Sequence, residues 1–192
     1  DYARLHPLDH VNLSQSTNDV YPTAVKLALQ FGIRRLLGEM GSLRKDFEIK
    51  SGEFSSVLKI GRTQLQDAVP MTLGQEFSTY AVMLQEDESR IGEAASLIRE
   101  VNLGATAIGT GINAHPEYAV RVTRTLSEIA GVELIVSPNL IEETQDAGSF
   151  VQLSGVLKRV AVTLSKICND LRLLSSGPRA GIGEINMPAV QA

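Results

Sequence analysis

Apolar residues recur at alternating steps of four and three in three long segments of the chain, and each segment keeps this register for several turns. The spacing places side chains on one face of a helix, turn after turn, and predicts long α-helices packed at shallow angles. The series run from Leu29 to Phe47, from Leu73 to Val101 and from Phe150 to Leu174, and Asp87 alone interrupts the second. We therefore predict an all-α fold, a bundle of long, nearly parallel or antiparallel helices.

Residues that favour helix ends bound these segments. Asp19 introduces the first helix and Gly52 closes it, while Pro70 suits the first turn of the second. A shorter helix is predicted to follow Pro116 and to stop at Gly131. The stretch that leads to Pro70 is predicted to be a loop.

Apolar side chains also occupy other faces of the long helices. Val82 and Leu97 flank the second series, and Val156 and Val162 flank the third. A helix that is apolar over such a width needs more than one neighbour, so we expect burial against other copies of the chain.

Composition restricts the partners. The 192 residues are 43% hydrophobic and 21% charged, with a net charge of −4 and no cluster of Lys or Arg, so neither nucleic acid nor a membrane is a predicted partner. No apolar stretch is long enough to span a bilayer, and the first residues lack the features of a signal peptide. We expect a cytoplasmic protein whose single cysteine, Cys168, is buried and unreactive.

Two polar segments are candidates for ligand binding. Arg62, Thr63 and Gln64 precede the predicted helix start at Pro70, where backbone N–H groups favour an anion. Residues 14–19 are all polar and precede the first long helix. They suit helix capping, and they equally suit hydrogen bonding to a carboxylate, so both interpretations remain open.

Other chemistry lacks support in the sequence. His6 and His10 are four positions apart, but Pro7 argues against a helix that would place them as metal ligands, so no metal site is predicted. The Gly109-x-Gly111 motif is a weak phosphate signal because no strand precedes it, and no cofactor is expected. A Gly-x-Ser-x-Gly serine nucleophile motif does not occur.

Four longer motifs resemble those of one enzyme family. They are SQSTNDVYPTA at 14–24, KIGRTQLQDAVPMTLGQEF at 59–77, LGATAIGTGIN at 103–113 and KICNDLRLLSSGPRAGIGEINMPAVQA at 166–192. Together and in this order they resemble the aspartase and class II fumarase superfamily. Within it the chain is most similar to the aspartases, since fumarases usually carry a histidine where this chain has Gln64.

The resemblance implies roles for individual residues. Ser16, Thr17 and Asn18 would bind one carboxylate of a dicarboxylate substrate, and Thr63 and Gln64 would line the opposite wall. His6 and Asp9 match a second, peripheral anion site of fumarases, although Leu8 stands where that site usually has asparagine.

The implied reaction is the reversible anti-elimination of ammonia from L-aspartate to give fumarate, through an enediolate. The family's general base is a serine in a loop expected beyond Ala192, so residues 1–192 alone are predicted to be inactive. They would form most of the central helical domain of a three-domain homotetramer, without the N-terminal and C-terminal domains. The alternatives are a class II fumarase, which hydrates fumarate to malate, and a non-catalytic helical oligomerisation scaffold.

Overall fold

The computed structural model describes residues 1–189 and confirms an all-α fold built on three long helices. The last three residues of the fourth motif, 190–192, lie outside the described part. The helices are α1 Thr17–Glu53, α2 Leu73–Leu97, α3 Tyr118–Ala130, α4 Leu140–Gln145 and α5 Gly148–Leu174. The short strands are β1 Leu58–Thr63, β2 Gln66–Thr72, β3 Glu100–Val101 and β4 Ile135–Val136.

The apolar series predict α1 and α5 well and overestimate the length of α2. That helix ends at Leu97, and Val101 instead lies in β3, which pairs in parallel with β4. Ser137 donates a backbone hydrogen bond to the carbonyl of Val101 at 3.0 Å. A buried residue of a strand is apolar just as a buried residue of a helix is, so the apolar series could not reveal where α2 ends.

The shorter predicted helix is present as α3. Gly131 ends it with a left-handed backbone, φ 61°, which a glycine adopts without steric cost. Helix α4 and the β3–β4 pair were not predicted, because each is too short to repeat an apolar pattern.

The prediction of a loop before Pro70 and of a helix start at this proline is wrong. Pro70 lies within β2, opposite Ile60 of β1, in an antiparallel hairpin. Helix α2 begins after Thr72 in a reciprocal cap with Gln75. The N–H of Thr72 donates to the Gln75 side chain at 2.9 Å, and the N–H of Gln75 donates to the Thr72 hydroxyl at 3.1 Å.

The chain forms two compact units. The first unit comprises Asp1–Leu36 and Ile91–Ser154. Its core joins the small strand pair to neighbouring helical side chains. The buried members are Val101, Leu103, Val132 and Leu134, and Leu27, Val122, Leu126 and Ala130 pack against them.

The second unit comprises Leu37–Arg90 and the described residues from Gly155 onward. Aromatic rings form part of its core: the ring centroid of Tyr80 lies 5.4 Å from that of Phe47 and 5.7 Å from that of Phe77. Asp87, the polar residue in the second apolar series, is fully buried and accepts a hydrogen bond from Arg159 Nε at 2.7 Å. The one polar residue in the second apolar series is therefore there to form an ion pair between α2 and α5.

Several apolar side chains remain uncovered. Val82, Leu97 and Val162 are 53%, 49% and 62% exposed, so the expected burial against further copies stays a prediction. The expectation that Cys168 is buried is wrong, since it is exposed while its neighbour Ile167 lies in the core. Among the described residues, no helix has the length and apolarity that crossing a membrane requires.

Gly74 is predicted to be indispensable at the start of α2. A Cβ there would lie 2.4 Å from the carbonyl oxygen of Ser51 and 2.8 Å from the Cα of Ser55. We expect Gly74→Ala to lower the free energy of unfolding by about 1–3 kcal/mol. In the same helix Gly92 has open space, and we expect Gly92→Ala to raise this free energy by about 0.5–1 kcal/mol. Urea unfolding compares the two, and equal effects would contradict the close packing at Gly74.

Candidate functional site

The first turn of α1 is closed by a reciprocal cap. The hydroxyl of Ser16 accepts a hydrogen bond from the N–H of Asn18 at 3.2 Å. In return, Oδ1 of Asp19 accepts one from the N–H of Ser16 at 2.9 Å. This arrangement is a capping box with aspartate in the usual place of glutamate. It leaves the hydroxyl proton of Ser16 free to donate.

Asp19 does more than cap the helix. Its second oxygen, Oδ2, accepts hydrogen bonds from the N–H groups of Gly104 at 3.1 Å and Thr106 at 3.0 Å. Both donors have left-handed backbone angles, φ 94° and 61°. Gly104 is also required sterically, since a Cβ there would lie 2.7 Å from the Cβ of Ala119. The carboxylate thus ties the start of α1 to the segment 102–107, which we name the latch loop.

Asn18 is held by the same loop at two points. Its side-chain Nδ2 donates to the carbonyl of Ala107 at 2.7 Å. Its own carbonyl accepts from Nδ2 of Asn102 at 3.0 Å. Pro22, four residues further on, has no N–H to give that carbonyl its usual helical partner. Asn102 supplies the missing donor.

Ser16 and Thr17 line an open groove of about 450 Å³. The other lining residues are Asn12, Gln15, Val20, Tyr21 and Ala24. The Thr17 side chain is exposed and makes no hydrogen bond within the described part of the chain. Two hydroxyl groups at the positive end of a long helix dipole suit the binding of a carboxylate. Asn18 does not line the groove in this chain.

Thr63 and Gln64 lie at the tip of the β1–β2 hairpin. Thr63 pairs with Gln66, and the two residues between them, Gln64 and Leu65, have φ of 53° and 64°. A left-handed backbone costs a residue with a side chain about 1–2 kcal/mol. Positive φ at both central residues is what a two-residue hairpin turn of this kind requires, and the turn leaves an amide and an apolar side chain exposed at the tip.

An ion-pair network anchors strand β1 of this hairpin. Nζ of Lys59 contacts Glu76 and lies 2.7 Å from Oε2 of Glu184, while Nη2 of Arg62 lies 2.6 Å from Oε1 of Glu184. Burial of Glu184 alone would raise its pKa, but the hydrogen bonds from Arg62 and Lys59 outweigh burial and lower that pKa. The hydrogen bond to Glu184 in turn raises the pKa of Arg62. Arg62 therefore anchors the hairpin, although the sequence suggested it as an anion ligand.

His6 and Asp9 lie close together in the turn before α1. His6 caps the single π-helical turn Pro7–Val11. Its Nδ1 accepts from the N–H of Asp9 at 3.2 Å and lies 3.1 Å from Oδ2 of Asp9. A single Nδ1 cannot accept from the backbone and donate to the carboxylate at the same time, so only one of these two contacts is a hydrogen bond.

The predicted site residues form two groups. Ser16, Thr17 and Asn18 are adjacent in the first unit, and Thr63 and Gln64 are adjacent in the second, so neither unit contains all five. Sequence reasoning missed Asn102, which is 84 residues from its partner Asn18. The sequence shows that Pro22 leaves the carbonyl of Asn18 without its helical donor, but it does not show which residue supplies a donor instead. The described residues contain no group of three or more His, Cys, Asp or Glu side chains suited to a metal ion.

Comparison with known proteins places the whole chain in one group. A lyase family model matches residues 3–192. The chain is 59% identical over 192 residues to the aspartate ammonia-lyase of Pseudomonas fluorescens and 56% identical over 191 residues to that of Helicobacter pylori strain J99. Both alignments cover 100% of this chain. The chain spans about two fifths of these relatives, 40% and 41% of their lengths.

Solved structures agree with this placement. A fumarate lyase:delta crystallin from Brucella melitensis, determined bound to cobalt, has a TM-score of 0.96 and 59% identity, with coverage of 100% of this chain and 42% of that one. The class II fumarase of Schistosoma mansoni has a TM-score of 0.84 and 37% identity, with coverage of 92% and 40%.

The Glu184 network predicts a pH-dependent contribution to stability. Because the pKa of Glu184 is lowered from its ordinary value of 4.5, its ion pairs stabilise the fold above that pH and lose their effect as the pH falls through the folded-state pKa. We expect Glu184→Gln to cost about 1–3 kcal/mol of unfolding free energy at pH 7 and much less in acid.

Urea unfolding at pH 7 and in acid measures the Glu184 effect. Glu48→Gln is the matched control, because Glu48 is half exposed and pairs with Arg44 along the surface of α1. We expect this control to cost under about 0.5 kcal/mol. A Glu184→Gln cost that persists unchanged in acid would contradict the ion-pair role.

Proposed function

The chain belongs to the lyase family of the aspartase and fumarase superfamily, and we propose that the full-length protein is a carbon–nitrogen lyase that converts L-aspartate to fumarate and ammonia. The proposal goes beyond the chain itself, which spans about two fifths of its relatives. Residues 1–192 would form most of the central helical domain, with N-terminal and C-terminal domains supplied by the rest of the protein.

The first turn of α1 is the observation that carries this proposal. It presents the hydroxyls of Ser16 and Thr17 at a helix N-terminus beside an open groove. These groups are neutral donors, so they can bind one carboxylate of a dicarboxylate without desolvating a charged side chain of the protein. The identity of 59% to an aspartate ammonia-lyase supports aspartate as the substrate.

The chemistry explains why fixed donors are needed. Removal of the proton next to a carboxylate leaves an enediolate, whose extra negative charge is stabilised by donors already aimed at it. Ser16 and Thr17 would bind one carboxylate from the groove, Asn18 could add only the second hydrogen of the Nδ2 group that already donates to Ala107, and Thr63 and Gln64 would contribute the opposite wall. An amide such as Gln64 cannot exchange a proton near neutral pH, so it would orient and polarise the substrate.

The general base would lie outside this chain. We assign it to a serine in a loop that follows Ala192 in the full-length protein, and residues 1–192 alone would then be inactive. No cofactor enters the proposed reaction. His6 and Asp9 would form, at most, a second anion site, with Leu8 in the place of a polar ligand.

A homotetramer would complete the active site. Side chains such as Val82, Leu97 and Val162 leave apolar surface that further copies would bury. Ser16–Asn18 and the hairpin tip would then meet as walls supplied by different copies. The assembled enzyme would act in the cytoplasm.

A class II fumarase is the second candidate. The 37% identity to the fumarase of Schistosoma mansoni supports it, and it would use the same carboxylate-binding turn. Gln64 favours the aspartase, because fumarases usually carry a histidine at this position. A non-catalytic oligomerisation scaffold would leave the exposed, unpartnered hydroxyl of Thr17 without a role.

The proposal predicts selective aspartate deamination. Full-length protein assayed with L-aspartate and L-malate at matched concentrations should release fumarate from aspartate and little or none from malate. The 192-residue chain assayed alongside should release none. Efficient malate dehydration without aspartate deamination would instead establish the fumarase. Fumarate release by the 192-residue chain would contradict the proposal that the general base lies outside it.

Thr63 is predicted to contribute a hydroxyl to substrate binding. In the full-length protein Thr63→Val removes this donor, worth about 1–3 kcal/mol if desolvated in the complex, so kcat/KM should fall by about 5- to 150-fold with the oligomer intact. Thr125→Val, at an exposed position of α3, is the matched control and should leave kcat/KM unchanged. Steady-state kinetics measure both, and unchanged kinetics for Thr63→Val would remove Thr63 from the site.

A further inference from the structure

We propose that Asp19 is a positioning residue of the substrate site, which sets the orientation of Ser16–Asn18 by holding their turn against the latch loop. This inference rests on the proposed function. In the capping box of α1 the Ser16 hydroxyl is the capping acceptor, and Oδ1 of Asp19 accepts the return hydrogen bond from the N–H of Ser16. The second oxygen would be free in an ordinary cap. Here it binds the N–H groups of Gly104 and Thr106.

Asp19 is buried away from water, so solvent cannot replace any of these hydrogen bonds. Its side chain is fully buried, and no basic side chain pairs with it among the described residues. Three backbone N–H groups and the positive end of the α1 dipole therefore stabilise the carboxylate charge. A charge desolvated in this way is costly unless hydrogen bonds satisfy it, so the geometry of all three donors is tightly constrained.

The latch loop constrains the neighbouring residue independently. Ala107 accepts from the side chain of Asn18, and Asn102 donates to the carbonyl that Pro22 leaves without a helical partner. Asn102 also donates to the Thr144 hydroxyl at 3.1 Å, which fixes its own amide. Thr17 lies between two residues held in place, Ser16 and Asn18. The backbone of Thr17 thus has a defined position from which its unpartnered hydroxyl can donate to a carboxylate.

The charge of Asp19 is the testable element. In Asp19→Asn one oxygen becomes NH₂, a donor that would face either the N–H of Ser16 or the pair from Gly104 and Thr106. The side chain keeps its volume, so the variant tests hydrogen bonding without opening a cavity. Misplacement of the turn by a fraction of an ångström would weaken every hydrogen bond to the bound carboxylate.

The experiment compares full-length wild-type protein with Asp19→Asn. KM for L-aspartate should rise by about 10- to 100-fold, with kcat per folded site falling less. Calorimetry with succinate, a dicarboxylate that cannot react, should show a Kd weakened by a similar factor. Oligomer mass and circular dichroism should be unchanged.

Asp87→Asn is the matched control. Asp87 is equally buried and also accepts a hydrogen bond, but from Arg159 between α2 and α5. It should lower Tm while leaving KM and the Kd for succinate unaltered. If Asp19→Asn likewise lowers Tm alone, Asp19 is a purely structural residue and the inference is overturned.

Two further measurements keep the outcomes separable. If Asp19→Asn fails to fold, Asn102→Leu removes the other latch donor at similar volume and should still raise KM and the Kd for succinate; normal values would overturn the inference. Wild-type protein without aspartate deamination would refute the proposed function. In that case the Kd for succinate would still test the role of Asp19. A weaker Kd in Asp19→Asn than in wild type supports the positioning role, and an equal Kd overturns it.

Discussion

The buried carboxylate of Asp19 is the interaction on which the candidate site depends. It joins the N-terminus of α1 to a loop some 85 residues later through three backbone N–H groups. A desolvated charge accepts few alternative arrangements, because each lost hydrogen bond leaves it partly unsatisfied. The turn that presents Ser16 and Thr17 is therefore rigid before any ligand binds. Such preorganisation is what stabilisation of an enediolate requires.

The hairpin follows the same principle by different means. Its tip has two left-handed residues, Gln64 and Leu65, while Lys59 and Arg62 hold strand β1 to Glu76 and Glu184. Strained backbone persists only where its surroundings determine it, and the ion-pair network supplies that support along β1. In both places charged side chains serve the scaffold, and neutral donors are left to meet a ligand.

Helical periodicity was sufficient to predict α1, α3 and α5, because their apolar faces extend over many turns. It failed where local pairing decides the structure. Most of β2 is exposed, so the strand shows no alternation, and Pro70 suited a helix start as well as a strand edge. The hydroxyls of residues 14–19 were recognisable as donors, whereas Asn102 was not, since its role depends on contact with the carbonyl of Asn18.

The central claim is that the first turn of α1 binds a substrate carboxylate. A crystal structure of the full-length protein with succinate tests it most directly. The account predicts one carboxylate of succinate within hydrogen-bonding distance of the hydroxyls of Ser16 and Thr17, with the Asp19 contacts to Gly104 and Thr106 retained. Succinate bound elsewhere, with both hydroxyls facing solvent, would contradict it.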